Sequence, residues 1–341
     1  MEVSETVRRQ GAALFAVDGD SFKSLNGNDG AVYLCRRGAR AHVIKFIPMP
    51  EDRIARWHER LAFISYLAGK GVNIAMPVPS VNGELYERLV ADGMQYVVVL
   101  TTQASGRSIE GRYPEWNPVL FEAWGRTIGQ MHALAKQYPL WRREEPDEVV
   151  SAIDNDSPDE HLYDWRMEHQ FFARWSSSEP EIVKHWMKLR ERLVQLPITR
   201  EDYGLIHNDL HQHNFLYQEK LDGKGGLTII DFDVCSYHWF MTDIGIAVFH
   251  ALLATGGETN ESRLAFTRSF LAPFRRGYEQ NNILDDFWWQ ELGTFLKYRQ
   301  ILIYVALSGS WPEQSRNRWQ VDFLGKIRRG ITSGKPVVVG I

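Results

Sequence analysis

Along the first hundred residues, apolar positions either alternate with polar ones or gather in short runs. "AVYLC" (31–35) and "HVIKFI" (42–47) are β-branched or aromatic runs flanked by Gly and charged turns, which predicts strands. "GELYERL" and "MQYVVVL" predict a second strand pair, with "ADG" as the turn between them. Between the two pairs the period changes. In "EDRIARWHERLAFISYLAGKG", Ile54, Trp57, Leu61, Ile64 and Ala68 fall on one helical stripe, ended by Gly69 or Gly71. Phe63 and Tyr66 lie on the other side, so this helix is expected to be buried on two faces.

After Thr101 helical patterns take over, at 117–137, 181–195, 239–254, 261–279 and 285–307. The change near "TTQASGR" predicts a lobe boundary there, with a β-rich N-terminal lobe over 1–101 and a larger helical lobe over 102–341. The segment 142–180 is first acidic and irregular, then rich in Trp and Phe. One stretch of the second lobe, "LIHNDLHQHNFLY" (205–217), has no helical pattern. "FLYQ" and "LTII" read as short strands beyond it, and Asp222-Gly223 is a pair suited to a two-residue hairpin turn. Counting back from that turn puts Asn214 opposite Asp231, where Cβ atoms lie about 5 Å apart. An amide oxygen and a carboxylate converging there would make an oxygen-only site that suits Mg²⁺. Gly225 and Gly226 would shift this register if they lengthened the turn.

Composition bounds the rest. At 341 residues the chain is longer than a usual single domain. Its net charge of −4 gives no nucleic-acid footprint. Two cysteines, Cys35 and Cys235, are too few for a disulfide framework and point to a reducing, cytoplasmic setting. The N-terminus lacks a signal-peptide pattern, and the longest apolar run, Ile244 to Ala254, is broken by His250 and too short to span a bilayer. Neither a membrane nor a nucleic-acid partner is expected, and nothing in the sequence sets an oligomeric state.

Two chemistries compete for the histidine-rich stretch. His207, His211 and His213 with Asp209 supply enough ligands for zinc, but short His spacings are permissive, and loop histidines are commonly satisfied by backbone groups. Phosphoryl transfer needs a base at the acceptor hydroxyl, Mg²⁺ on the phosphates and a cation at the α/β-phosphates. Asp209 precedes Asn214 by five positions, Asp231 follows a hairpin, Lys45 sits in the strand "HVIKF", and Glu59 is on the next helix. Each piece is weak singly: a strand Lys at a sheet edge is usually solvated, and Glu59 lies opposite the apolar stripe. In this order, on these elements, they match the kinase pattern.

"HNDLHQHN" followed by "IIDFD" is similar to the catalytic core of the aminoglycoside phosphotransferase-like kinase superfamily. That superfamily also holds choline kinases, type II homoserine kinases, hydroxylysine kinases and the bacterial stress-response kinase A. "VIKF", "WHERLAFISYLAGKGV", "ASGRSI" and "DFDVCSYHWFMTDIG" extend the likeness over roughly residues 25 to 310. The resemblance implies an α+β, bilobal protein-kinase-like fold that takes ATP and Mg²⁺. It implies Asp209 as the catalytic base, Asn214 and Asp231 as metal ligands, and Lys45 as the phosphate-binding lysine with Glu59 as its partner. Leu100 to Thr102 would be the hinge whose backbone holds adenine. His207 and Asp243 would brace the catalytic loop, although Asp243 could equally cap the helix that follows it. The phosphate-covering loop would be "SLNGNDGAVYL", with Gly27 and Gly30 but without G-x-G-x-x-G. In "DFD", Asp233 stands where protein kinases place Gly; it would touch a second metal or accept a loop hydrogen bond. Cys235 reads as a small buried hydrophobe.

The activity this implies is ATP-dependent transfer of a phosphate to a hydroxyl of a small, polar, amine-bearing molecule. The alternatives are a protein Ser/Thr kinase resembling stress-response kinase A, and a catalytically silent nucleotide-binding module. Intact Asp209, Asn214, Asp231 and Lys45 argue against the silent module, and the short distance from Asp233 to the next helix leaves little room for a protein-substrate platform. For the acceptor, the expected walls are 154–175, with Asp156, Asp159, Glu160 and Asp164, and the late helix carrying Tyr298 and Arg299. Arg299 would pair with a substrate carboxylate.

Overall fold

The computed structural model describes residues 2–25, 30–49, 54, 56–139, 178–219, 225–255, 257 and 259–340. These form two compact units, one from Met1–Gly106 with Thr228–Phe232, the other from the remainder. The first is built on an antiparallel sheet and the second is mostly helical, the α+β class expected.

The first unit opens with a helix the strand-rich reading did not foresee, α1 (Glu5–Phe15). Ser4 caps it, its hydroxyl accepting the Val7 N–H at 3.2 Å. Strands β1 (Lys23–Ser24), β2 (Ala31–Arg37), β3 (Arg40–Pro48), β4 (Glu87–Ala91) and β5 (Met94–Thr102) form a sheet of order β1-β2-β3-β5-β4. "ADG" makes the expected turn: Ala91 pairs with Met94, and Asp92 and Gly93 take φ of +53° and +72°, the left-handed pair of a two-residue hairpin. Alternation along β3 buries His42, Ile44 and Phe46 and puts Lys45 on the other face. Ile44 and Phe46 share a core with Val7, Phe15, Tyr33, Val98 and Leu100. Helix α2 (Arg56–Gly69) buries Trp57, Leu61 and Ile64 as well as Phe63, so two of its faces are covered, as the pattern predicts.

The second unit contains α3 (Pro118–Ala135), α4 (Pro180–Leu193), β6 (Tyr203–Ile206), β7 (Phe215–Gln218), the start of β8 (Gly226–Ile229), β9 (Ser236–Trp239), α5 (Phe240–Thr255), α6 (Asn260–Tyr278), α7 (Asp286–Gln290), α8 (Leu292–Ser310) and α9 (Arg318–Thr332). The single helix expected over 285–307 is broken at Glu291 into α7 and α8, and α9 was not foreseen. β6 and β9 pair antiparallel, Ile206 opposite Ser236. Helices α3 and α6 touch through glycine: a Cβ at Gly125 would lie 1.9 Å from the Phe274 carbonyl oxygen, and one at Gly277 would lie 2.0 Å from that of Glu122. Helix α8 packs on α5, and this contact sets the floor of the site described below. The Asp222-Gly223 turn, and the register counted from it, rest on residues that lie outside the described residues. No described helix is long and apolar enough to cross a membrane.

Candidate active site

In the first unit, β3 is the third of five strands rather than an edge, with Lys45 opposite Val32 on one side and Val99 on the other. Lys45 Nζ donates to Asp231 Oδ1 at 2.7 Å. Asp231 is presented by the end of β8, which is clipped to 73–75: Asn73 Nδ2 donates to Thr228 Oγ1 at 2.7 Å, and the Ile229 N–H and C=O bond to Asn73 and Ala75 at 2.9 and 3.0 Å. Asp231 itself has φ of +65°, a left-handed conformation that non-glycine residues rarely adopt and that concentrates at functional sites. Glu59 is half-buried in the first turn of α2. Gly30 has a local reason to be glycine, since a Cβ there would lie 2.7 Å from the Phe46 carbonyl oxygen. Gly27 lies outside the described residues.

The hinge expectation needs correction at its named groups. The Leu100 carbonyl already accepts the Val78 N–H at 2.8 Å, and the Thr102 N–H donates to Met76 at 2.8 Å. Residues 76–78 continue the sheet along β5 where β4 ends, so these groups are used as ladder bonds. Among the described residues, the first N–H groups beyond β5 without a hydrogen bond are those of Gln103 and Ala104.

In the second unit, the loop after β6 is held from below. Asp243, fully buried in the first turn of α5, accepts the His207 N–H at 3.2 Å and the Asn208 N–H at 2.8 Å. Asn208 takes φ of +63°, and its side chain donates to Ser236 Oγ on β9 at 3.0 Å. Asp243 therefore braces the loop as the resemblance implied, instead of only capping its helix. Behind it runs a polarised chain: Asn282 Nδ2 to Tyr278 Oη at 2.7 Å, Tyr278 Oη to His132 Nδ1 at 3.0 Å, and His132 Nε2 to Asp243 at 3.2 Å. Burial, which outweighs the pull of Asp243, holds His132 below its ordinary value and keeps it neutral.

The brace presents Asp209 among three side chains. Asn214 Nδ2 donates to the Asp209 carbonyl at 2.9 Å and to its Oδ2 at 3.1 Å. His211 Nε2 lies 3.4 Å from Oδ2, and Arg299 is hydrogen-bonded to Oδ1. Arg299 also donates to His250 Nε2, from Nε at 3.2 Å and from its terminal nitrogen at 2.8 Å. His250 stacks on His211 with ring centres 4.5 Å apart. Burial raises the Asp209 carboxyl, but the Arg299 charge, the His211 hydrogen bond and the nearby imidazoles outweigh it and hold the group well below the usual carboxylate range. Burial, and then the charges of Arg299 and His211, hold His250 well below its ordinary value.

This geometry disposes of the imidazole site. The His207 Nδ1 accepts the Asp209 N–H at 3.3 Å, and the His211 Nδ1 accepts the His213 N–H at 3.2 Å, so both nitrogens serve the backbone. Among the described residues, no group of three His, Cys, Asp or Glu side chains is placed to hold a metal. Asn214 points elsewhere: its nitrogen faces Asp209, and its Oδ1 has no hydrogen-bond partner among the described residues.

The model of the phosphotransferase enzyme family (APH) matches residues 22–289. The chain belongs to this family. It is 27% identical over 336 residues to the amicoumacin kinase of Bacillus subtilis (strain 168), a match covering 98% of this chain and 93% of that protein. Among solved structures, amicoumacin kinase hAmiN in complex with AMP-PNP, Ca²⁺ and Ami superposes with a TM-score of 0.84 at 26% identity, over 99% of this chain and 96% of that one. A microcompartment-associated aminopropanol kinase shares the fold, with a TM-score of 0.69 at 20% identity over 97% and 96% of the two chains. The protein is an ATP-dependent phosphotransferase, and its relatives include kinases of small molecules.

Two expectations for this phosphotransferase fail. Arg299 is buried against Asp209 and His250, so its charge is engaged by the protein and not held out for a substrate carboxylate. Tyr298 is 1% exposed, with its hydroxyl 3.0 Å from His238 Nε2, and is core instead of cleft wall. The acidic residues Asp156, Asp159, Glu160 and Asp164 lie outside the described residues. Cys235 is buried, as expected. His250 is not among the residues the sequence singles out for the site; its one signal is a lone polar residue interrupting the apolar run Ile244 to Ala254.

Proposed function

We propose that this phosphotransferase moves the γ-phosphate of ATP to a hydroxyl of a small, amine-bearing molecule, with Asp209 as the base. The observation that carries the reading is the Asp209 carboxylate, fixed by Asn214, His211 and Arg299 on a loop braced by Asp243. A carboxylate held this far below its ordinary range is ionised at neutral pH, orients the acceptor hydroxyl and takes its proton late. That suffices for a loose phosphoryl transition state, which needs little prior deprotonation of the nucleophile. Lys45 would hold the α/β-phosphates, with Glu59 orienting it, and the free backbone N–H groups of Gln103 and Ala104 suit an adenine edge.

For the metal, we propose Asp231 and Asn214 as ligands of Mg²⁺. The donor chemistry fits: a carboxylate and an amide oxygen without a hydrogen bond are hard donors of the kind Mg²⁺ and Ca²⁺ share. A bound divalent ion would neutralise charge on the phosphates. Similarity to amicoumacin kinase, 27% identity along nearly the whole chain, makes amicoumacin the first acceptor to try. With Arg299 engaged by Asp209, nothing in the described residues favours a carboxylate-bearing acceptor.

The test is to incubate the protein with ATP, Mg²⁺ and amicoumacin, aminopropanol, choline, homoserine or aminoglycosides, following ATP loss and the mass of the product. Asp209→Asn should lower kcat by about 10²–10⁴-fold while nucleotide affinity holds. Asp231→Ala should weaken metal-dependent nucleotide binding as well as rate. Turnover retained in Asp209→Asn removes the base; phosphorylation of a protein with no small acceptor turned over removes the small-molecule reading.

A further inference from the structure

Arg299 lies 90 positions after Asp209 and is 6% exposed. A guanidinium so buried must have its charge and donors matched. Its partners are Asp209 Oδ1 and His250 Nε2, and the imidazole is the informative one. Both contacts to His250 come from N–H donors, so Nε2 must present its lone pair and Nδ1 must carry the only ring proton. The ring is therefore neutral, in one tautomer, and its edge receives the arginine. Its face lies on His211, whose interplanar angle to it is 20°. The His211 Nδ1 accepts a backbone N–H, so its proton sits on Nε2, which lies 3.4 Å from Asp209 Oδ2 and 3.5 Å from Asn214 Nδ2.

A carboxylate offers about four lone-pair directions. On Oδ2, Asn214 Nδ2 occupies one, and His211 Nε2 stands 3.4 Å away against the other. On Oδ1, Arg299 occupies one. One direction on Oδ1 is left. Resting on the reading of Asp209 as the base, we propose that Arg299 is a positioning residue for that base and that His250 aims it. Together they confine the acceptor hydroxyl to a single lone pair of Oδ1. A plain tie between α8 and the loop would not need the His250 nitrogen to be turned to the arginine, nor the imidazole stack that couples it to the second oxygen through His211.

The proposal separates turnover from binding. If Arg299 only orients the base, its loss affects the reacting geometry and leaves substrate affinity. Arg299→Gln should therefore lower kcat about tenfold or more, within the roughly 10²–10⁴-fold a general base contributes, with both KM values little changed. Arg299→Lys, which keeps the charge but loses the planar fork, should recover only part of kcat. His250→Gln offers an amide oxygen to Arg299 and should keep most of the rate, whereas His250→Leu should fall as Arg299→Gln does. The double variant His250→Leu with Arg299→Gln should be no slower than Arg299→Gln, because the two act as one unit.

Active-site titration or native mass measurement supplies the folded fraction for each variant, so rates are read per folded molecule. Rates that fall only with the folded fraction overturn the proposal, as do additive losses in the double variant. A raised acceptor KM at unchanged kcat overturns it too and returns Arg299 to substrate binding. Should Arg299→Gln fail to fold, Arg299→Lys and the two His250 variants carry the same comparison. Failure of the base reading is distinct: it is seen in Asp209→Asn, which stays inactive if only the present proposal is wrong.

Discussion

Replacing Asp243 by alanine tests the brace beneath the catalytic loop. The carboxylate is 0% exposed and accepts three hydrogen bonds, from the Asn208 N–H at 2.8 Å, the His207 N–H at 3.2 Å and His132 Nε2 at 3.2 Å. Each donor left buried and unpaired costs about 1–3 kcal/mol, so three cost about 6 kcal/mol at the middle of that range. Removing a buried charge recovers part of this by relieving its desolvation, which leaves a net loss of about 3–5 kcal/mol. That is a large share of the roughly 5–15 kcal/mol by which a folded domain is stable. Asp243→Asn keeps the volume and one acceptor oxygen, and should cost about 2–3 kcal/mol. Activity should fall in Asp243→Ala, and less in Asp243→Asn, because the bond that holds Asn208 at φ of +63° is lost in the first and can be kept by the amide oxygen in the second. Urea unfolding followed by tryptophan fluorescence, with turnover measured on the folded protein, reads both effects. A loss under about 1 kcal/mol in Asp243→Ala would refute the argument that these three bonds hold the loop, given the cost of unpaired buried donors.

Stability should fall as pH drops below about 6.5, the usual His value. His132 is held below that value by burial, and His238 is pushed down to about 3 by burial, so both stay neutral in the fold while the unfolded chain takes up protons. The stabilisation is complete above the unfolded value and lost as pH falls towards the folded one, about 2–3 kcal/mol from His238 by pH 4.5. Melting temperature against pH checks this, and a flat profile from pH 7 to 5 counts against it. Gly125→Ala should destabilise by about 2–4 kcal/mol despite better helix propensity, because its Cβ would meet the Phe274 carbonyl at 1.9 Å. Gly293→Ala on α8, with nothing within 4 Å of its Cβ, should be neutral or stabilising in the same thermal assay.

The sequence by itself determined the local elements and the class of chemistry. Alternation put Ile44 and Phe46 in the core and Lys45 on the opposite face, because the two faces of a strand follow directly from its period. The spacing of Asp209, Asn214 and Asp231 carried the kinase likeness, and the family model matching residues 22–289 places the protein in the phosphotransferase family. Helix α1 was not foreseen, although Val7, Gly11, Ala12 and Phe15 fall on one helical face and Ser4 marks its start, the signals by which it is legible.

Tertiary structure decided how the chemistry is supported. The pairing of Arg299 with Asp209 spans 90 positions, that of Asp243 with Asn208 spans 35, and that of Lys45 with Asp231 spans 186. Periodicity reports which face of an element is apolar, and says nothing of which polar group on another element meets it. Arg299 looked available to a substrate because a lone arginine in a helix pattern carries no mark of burial. Once α8 packs on α5, the same residue is enclosed, and a buried charge must take the partners that packing brings to it. The hinge groups turned on the same point: Leu100 and Thr102 belong to the right strand, but residues 76–78, distant in sequence, come alongside and take their hydrogen bonds.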